Sequence, residues 1–438
     1  MIKEQGCACG KAHINPIDKV IIGKDVLGTL PAVLAEYGAK KVFVLSDLNT
    51  YRVAGKAACD ILTAAGIPFT SYTLEEATPE PDEKTTGSML LHYDPTCNVL
   101  LTVGSGVLND TAKLLAAAAD LPYIIVATAP SMDGYASQSS SMCRDGLKIS
   151  LGSRTPNVII GDVNILKEAP MDMLRSGLGD MLAKYVSICE WRIANLITGE
   201  YYCEEVAEMV RQALKKCTDN AKGLLERDAV AVQAVFEGLV NSGIAMSYAG
   251  VSRPASGVEH YLSHVWDMRG VSFGTPVDSH GTQCAIGTLI ATRFYEKLKQ
   301  ITPDREKALA YVRAFDYSAW SQTLTAFLGK AAKCMIALEA KEKKYDVAAH
   351  AERLERILAN WDHILCIINE ELPSSAEIAD LLDTIGAPKS MSEIGIDEDL
   401  LPKTFHATKD IRDKYVLSRL CWDLGVIDEI AATENTEH

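Results

Sequence analysis

Little in this chain points to a membrane, an export route or a nucleic acid. No stretch reaches the run of about 18 apolar residues that a membrane-spanning helix needs, so no span is expected. The opening Met1-Ile-Lys-Glu-Gln5 has no apolar core of the secretory kind. Basic residues are short: 43 Lys and Arg face 58 Asp and Glu, for a net charge of −15. A phosphodiester backbone needs a basic face, so nucleic acid is excluded as a partner. A small anionic substrate needs only a local positive pocket and is not excluded. There is no internal repeat and no low-complexity segment. Twelve cysteines without a secretory signal read as reduced thiols in a cytoplasmic protein. Cys7, Cys9 and His13 can bind a metal, but no second Cys/His pair stands near them in sequence. The stretch therefore reads as a turn near the chain terminus.

What is present is globular. Hydrophobic residues make up 48% and charged residues 23% of 438 positions, enough for two domains. Up to about residue 165, short β-rich runs at 20–22, 41–46, 69–73, 98–103, 123–128 and 158–160 alternate with helical patterns at 28–37, 54–65, 80–91 and 108–119. The strand runs are near-continuously apolar, as in a parallel sheet covered on both faces. Beyond that point helical periodicity takes over, at 168–196, 201–216, 229–247, 281–299, 303–314, 330–356 and 358–369. The expected architecture is α/β plus all-α. Residues 1–165 form a Rossmann-like dinucleotide-binding domain with a mostly parallel sheet. Residues 166–438 form an all-helical metal and substrate domain.

Four stretches carry chemistry. Val103-Gly-Ser-Gly-Val-Leu-Asn-Asp110 joins a strand to a helix. Its glycines permit a tight turn, and the helix start offers N–H groups and a positive dipole end to a phosphate. The third glycine of the dinucleotide fingerprint is absent, so an ordinary strand–helix turn is the alternative. Asp47 ends the strand 41–46, where a carboxylate can accept from a ribose diol and repel a 2′-phosphate, or simply sit solvated in a turn. Asp180 in Ser176-Gly-Leu-Gly-Asp180-Met-Leu-Ala-Lys184 is either a metal-binding carboxylate or a helix cap. His260 and His264, in Ser256-Gly-Val-Glu-His-Tyr-Leu-Ser-His264, share one helix face, and His280 follows in His280-Gly-Thr-Gln283. They are metal ligands or buried, hydrogen-bonded imidazoles.

These pieces, in this order, resemble the iron-containing alcohol dehydrogenase and dehydroquinate synthase superfamily. Within it they are most similar to the glycerol-1-phosphate dehydrogenase family, especially its bacterial type. The stretches Gly104–Asp110, Thr128-Ala-Pro-Ser-Met-Asp-Gly-Tyr-Ala-Ser137, Gly179–Lys184, Ser256–His264 and His280–Gln283 carry the resemblance. It implies one divalent metal ion on Asp180, His260 and His280, with zinc or nickel placed ahead of iron. It implies NAD, with NADP as the alternative, held by Gly104, Ser105, Gly106, Val107, Leu108, Thr128, Ala129, Pro130, Ser131 and Ser137; Asp47 joins them from its place at a strand end alone. Substrate positions would be Asp133, Asp180 and His264, and catalytic positions Asp180 and His264. Ser105 departs from the glycine found at this point in archaeal members, but still permits the turn. The implied reaction is reduction of dihydroxyacetone phosphate to sn-glycerol 1-phosphate with NAD(P)H, a reversible step supplying glycerophospholipid precursors in the cytoplasm. A homodimer is the expected assembly. The competing expectation is an NAD- and metal-dependent polyol dehydrogenase acting on an unphosphorylated alcohol such as glycerol. Lys148, Arg154 and Lys184 stand near the motifs as candidates for a phosphate pocket.

Overall fold

The computed structural model describes residues 6–76, 78–144 and 147–432. Packing divides the chain into two compact units, Met1–Met181 with Glu208–Val251, and Leu182–Ala207 with Ser252–His438. This division runs inside two helices, whereas the boundary at residue 165 follows the change from strands to helices.

Among the described residues the first unit holds eight strands: β1 (Lys19–Gly23), β2 (Val42–Asp47), β3 (Phe69–Leu74), β4 (Val99–Gly104), β5 (Tyr123–Ala127), β6 (Ser139–Arg144), β7 (Leu147–Gly152) and β8 (Val158–Asp162). Six of them form one sheet in the order β1-β8-β5-β4-β2-β3, and every pair is parallel. These six are the strands expected from the apolar runs. Helices α1 (Leu30–Glu36), α2 (Lys56–Ala64), α3 (Glu83–His92) and α4 (Gly106–Ala119) intervene between them. β2, β4, β5 and β8 are buried along their whole length. That accounts for the lack of polar alternation in their sequences. β6 and β7 form a separate antiparallel ribbon that was not anticipated. Ser139-Ser-Ser-Met-Cys-Arg144 has no β-branched residue and no clear alternation, so only cross-strand pairing makes it a strand.

From β2 the chain moves one way to β3, then returns to lay β4 on β2's other side. Strand order reverses there, and in open α/β sheets ligands bind at such a switch, outside the carboxyl ends of the strands. Asp47 ends β2 and Gly104 ends β4, so both lie at that edge.

Helix α5 (Met171–Thr198) runs unbroken through the division after Met181, and α6 (Glu204–Asp219) through the division after Ala207. In the first unit α5 meets the segment after β5. A Cβ at Gly177 would lie 1.8 Å from the Pro130 carbonyl oxygen, a distance no larger residue tolerates. Helix α7 (Ala229–Ala249) is long and apolar enough to cross a membrane by length and composition. In the structure it is a core helix: Phe236 packs edge-on against Tyr135, and Ser242 bonds Asp133.

The second unit is helical. Its α8 (Val258–Phe273) and α9 (His280–Leu298) cross closely, and a Cβ at Gly287 would come within 2.7 Å of the Glu259 carbonyl oxygen. The single helix expected over 330–356 is two, Ala332–Glu342 and Val347–Ala359. Lys343 adopts φ 49°, and the Asp346 side chain caps the second helix at Ala349 N–H. The break buries Tyr345 against Phe315, Trp320 and Trp422, a gain a continuous helix could not make. A helix at Tyr317–Leu328, capped by Asp316, was not anticipated.

Gly177→Ala should displace α5 from the Pro130 carbonyl and destabilise the protein by about 1–3 kcal/mol, as overpacking does. A thermal melt against wild type measures it; an unchanged melt would show the approach to be slack.

Candidate active site

Asp180 lies on helix α5. His260 is in the first turn of α8, and His280 and Cys284 are one turn apart on α9. One ligand atom from each of Asp180, His260, His280 and Cys284 lies within 4.8 Å of the other three. The His260 and His280 rings are 5.0 Å apart at 66°. His264 is not in this group; it is half-buried, with its ring 6.1 Å from that of His280. A buried carboxylate, two imidazoles and a thiol are donors that suit a divalent transition-metal ion.

The tautomer of His260 supports that fit. Its Nδ1–H donates to Glu259 Oε1 at 2.8 Å, an oxygen that acts as an acceptor. Nε2 is thereby the unprotonated nitrogen, the form a metal requires. Glu259 Oε1 also accepts from Gly257 N–H at 2.6 Å. His280 Nδ1 is 3.3 Å from Ser263 Oγ, and Cys284 Sγ is 3.6 Å from His280 Nε2. Burial alone would raise the Cys284 thiol, but the charge and hydrogen bonds of His260 and His280 hold it below the ordinary thiol value. Sequence reading missed Cys284 and Glu259. The signal for Cys284 was its spacing of four from His280 on a helix.

Behind Glu259 lies a second buried carboxyl. Glu190 Oε2 accepts from Val258 N–H at 3.0 Å and Oε1 from Leu417 N–H at 2.8 Å. Burial first, and then the neighbouring charge of Glu259, push the Glu190 carboxyl well above the usual carboxylate range. Glu259 Oε2 is buried without a hydrogen-bond partner, beside Glu190 Oε2 against the face of Gly257. The loop before α8 is pinned by Lys184, which donates to Ala255 O, and by Ser187, which donates to Pro254 O. Lys414 donates to Ser252 O and Ser256 O. Burial, with Arg253 and Arg412 nearby, lowers its ammonium to about 7.

Within the first unit, Asp133 N–H donates to Asp180 Oδ2 at 2.9 Å, and Ser242 Oγ donates to Asp133 Oδ2 at 2.8 Å. The 131–134 segment is thus tied to both α5 and α7.

At the sheet edge, Ser105 precedes α4 in an extended conformation, and its side chain caps no N–H. Thr128 N–H bonds Gly104 O at 3.0 Å, holding the ends of β4 and β5 together. Leu108 packs under Gly104 and is buried, so with Val107 it offers a ligand chiefly backbone. Ala129 O accepts from Tyr135 Oη, and Ser131 O from Ser176 Oγ, while Pro130 abuts Gly177. Ser137 Oγ bonds Gly134 O and Ser139 O and receives Lys113 Nζ. Asp47 Oδ1 accepts from Thr50 N–H at 2.7 Å, capping the turn that follows β2. Of the three cations considered for phosphate, Lys184 is buried on Ala255 O, Arg154 pairs with Asp120, and Lys148 lies on β7.

The iron-containing alcohol dehydrogenase family profile matches residues 21–170. A glycerol-1-phosphate dehydrogenase (NAD(P)+) of Halalkalibacterium halodurans is 27% identical over 415 residues, 94% of each chain. The enzyme of the same name from Methanosarcina mazei is 33% identical over 272 residues, 62% of this chain and 74% of its own. Among solved structures, glycerol dehydrogenase from Schizosaccharomyces pombe superposes with a TM-score of 0.62 at 17% identity, covering 95% of this chain and 90% of its own. NADH-dependent butanol dehydrogenase A from Thermotoga maritima gives 0.58 at 16% identity, with 96% and 98% covered. At these identities the two structures show a shared fold.

A carboxyl whose folded pKa is raised adds stability that is full below the ordinary carboxylate pKa and is lost as pH rises through the raised value. Between pH 5 and pH 7 wild type should therefore lose stability relative to Glu190→Gln, by about 1 kcal/mol or more. Urea melts of both proteins across that range measure the difference. Parallel pH profiles would mean that Glu190 is ionised in the folded state.

Proposed function

The chain belongs to the glycerol-1-phosphate dehydrogenases of the iron-containing alcohol dehydrogenase superfamily, and from that premise we propose how its own residues perform the reaction. The enzyme is an NAD(P)- and metal-dependent oxidoreductase that interconverts dihydroxyacetone phosphate and sn-glycerol 1-phosphate. The observation that carries this reading is the convergence of Asp180, His260, His280 and Cys284 on one point. When bound, the ion supplies Lewis acidity at the substrate's C2 oxygen and the nicotinamide supplies or accepts hydride.

Asp180, His260 and His280 hold the ion, and Glu259 keeps Nε2 of His260 presented to it. The ion proposed for a carboxylate and two imidazoles is zinc or nickel ahead of iron. Asp133, braced by Ser242, holds the Asp180 carboxylate through its backbone N–H and can orient a substrate hydroxyl. His264 hydrogen-bonds a substrate oxygen and holds the proton that the C2 oxygen gains on reduction. Gly104, Ser105, Gly106, Val107 and Leu108 receive the dinucleotide phosphates at the start of α4. Thr128 to Ser131 and Ser137 line the same cofactor edge. Asp47, at the end of β2, accepts from the ribose diol and disfavours a 2′-phosphate, giving a preference for NAD over NADP. The product feeds glycerophospholipid synthesis in the cytoplasm, and the working form is a homodimer.

Purified protein should oxidise NADH with dihydroxyacetone phosphate, lose that activity in chelator, and recover it with a divalent ion. Chiral analysis should find sn-glycerol 1-phosphate. Formation of the 3-phosphate enantiomer, or faster turnover of unphosphorylated glycerol, would overturn the assignment.

His260→Ala should lose active-site metal, because a three-ligand site with one ligand removed binds at least about 100-fold more weakly. His264→Ala should keep the metal and lower kcat by about 100-fold or more, the worth of a positioned acid–base group. Metal analysis beside steady-state kinetics separates the two roles. Metal loss from His264→Ala would place it among the ligands.

A further inference from the structure

A second group of metal-type donors lies away from the active site, and nothing in the reaction uses it. Cys7, Cys9, His13 and Cys203 each offer a ligand atom, and these four atoms lie within 4.8 Å of one another. Cys7, His13 and Cys203 are buried and Cys9 is half-buried. In sequence, 190 positions separate His13 from Cys203, which is why the first three residues read as a plain turn.

The first three donors are placed by a turn and two anchors. Gly10 N–H bonds Cys7 O at 3.0 Å, with Gly10 at φ 80°, a conformation that favours glycine. Lys11 Nζ bonds Ala249 O and His13 Nδ1 bonds Tyr248 O, both on the last turn of α7. Cys203 stands just before α6, where Ala207 N–H bonds its carbonyl. Most of that unbroken helix, from Glu208 to Asp219, belongs to the first unit, as do the other three donors.

The protonation chemistry also fits. Tyr248 O can only accept, so His13 Nδ1 carries the proton and Nε2 is the bare nitrogen. Nε2 faces Cys9 Sγ at 3.3 Å. A tetrahedron with metal–ligand bonds of about 2.0–2.3 Å has edges of about 3.3–3.8 Å, so this separation is an edge of the right length. Three thiols around one imidazole nitrogen gain little from one another, because S–H is a weak donor and sulfur a weak acceptor. Three cysteines and one histidine are also a complete tetrahedral set with no position left for substrate.

We propose that Cys7, Cys9, His13 and Cys203 bind a structural zinc ion. The site is separate from the active-site metal and its ligands differ in kind, so each chain would carry two ions of different chemistry.

Cobalt(II) substitution reads the thiolate ligands directly. Working in Cys284→Ser removes the one active-site thiol from the reading. That protein, loaded with cobalt, should show the intense near-ultraviolet thiolate-to-cobalt band and the visible bands of a tetrahedral site. Adding Cys9→Ser or Cys203→Ser should abolish or strongly weaken the near-ultraviolet band, and zinc analysis should show loss of one equivalent against the parent. Absence of the band from Cys284→Ser itself overturns the proposal, and that arm does not depend on the double variants folding. Equal zinc content and an unchanged band across the three proteins overturn it as well. So does peptide mass spectrometry that finds Cys7, Cys9 or Cys203 in a disulfide in freshly purified protein.

Discussion

The hydrogen bond from His260 to Glu259 decides what the rest of the active site can be. An imidazole can present either nitrogen to a metal, and a carboxylate on Nδ1 leaves Nε2 as the ligand. Glu259 is fully buried, and burying a carboxyl is costly unless its oxygens are bonded. Gly257 N–H supplies one bond. Glu190, pushed towards its neutral form, supplies tolerance for the charge beside it, since two ionised carboxyls in that space would repel. The close crossing of α8 and α9 at Gly287 then brings His280 and Cys284 to the same point. Tautomer, buried charge and helix crossing are one linked arrangement.

Each donor group takes in a residue that lies far from the others in sequence. Asp180 is on α5, and Cys203 stands immediately before α6. The remaining donors come from short local patterns, His260 at the start of α8 and the Cys7–His13 turn.

Those local patterns are what sequence can show. The six parallel strands were visible because burial on both faces demands apolar runs, and the glycine turn because backbone geometry demands glycine. The His260/His264 spacing was visible because a helix repeats every 3.6 residues. The ribbon of β6 and β7 was not, because pairing rather than composition makes Ser139–Arg144 a strand. The break at Lys343 depended on what Tyr345 would pack against, and the second half of the Cys7 group on a residue beyond any local window. Glu259 sat inside the motif from the start. Its role shows only when the Nδ1 contact is seen, since an acid beside a histidine in a helix has no fixed meaning.

Charge separates the two donor groups more sharply than composition does. Three thiolates and an imidazole more than cancel a divalent ion and fill a tetrahedron, so such an ion has neither charge nor room to act on a substrate. One carboxylate and two neutral imidazoles leave a divalent ion with net positive charge and an open position, the conditions for polarising a carbonyl. Cys284 stands at the border between these cases. As a fourth ligand it would both neutralise the ion and occupy the substrate's place. On the proposed reading the ligands are therefore Asp180, His260 and His280, with Cys284 outside the set.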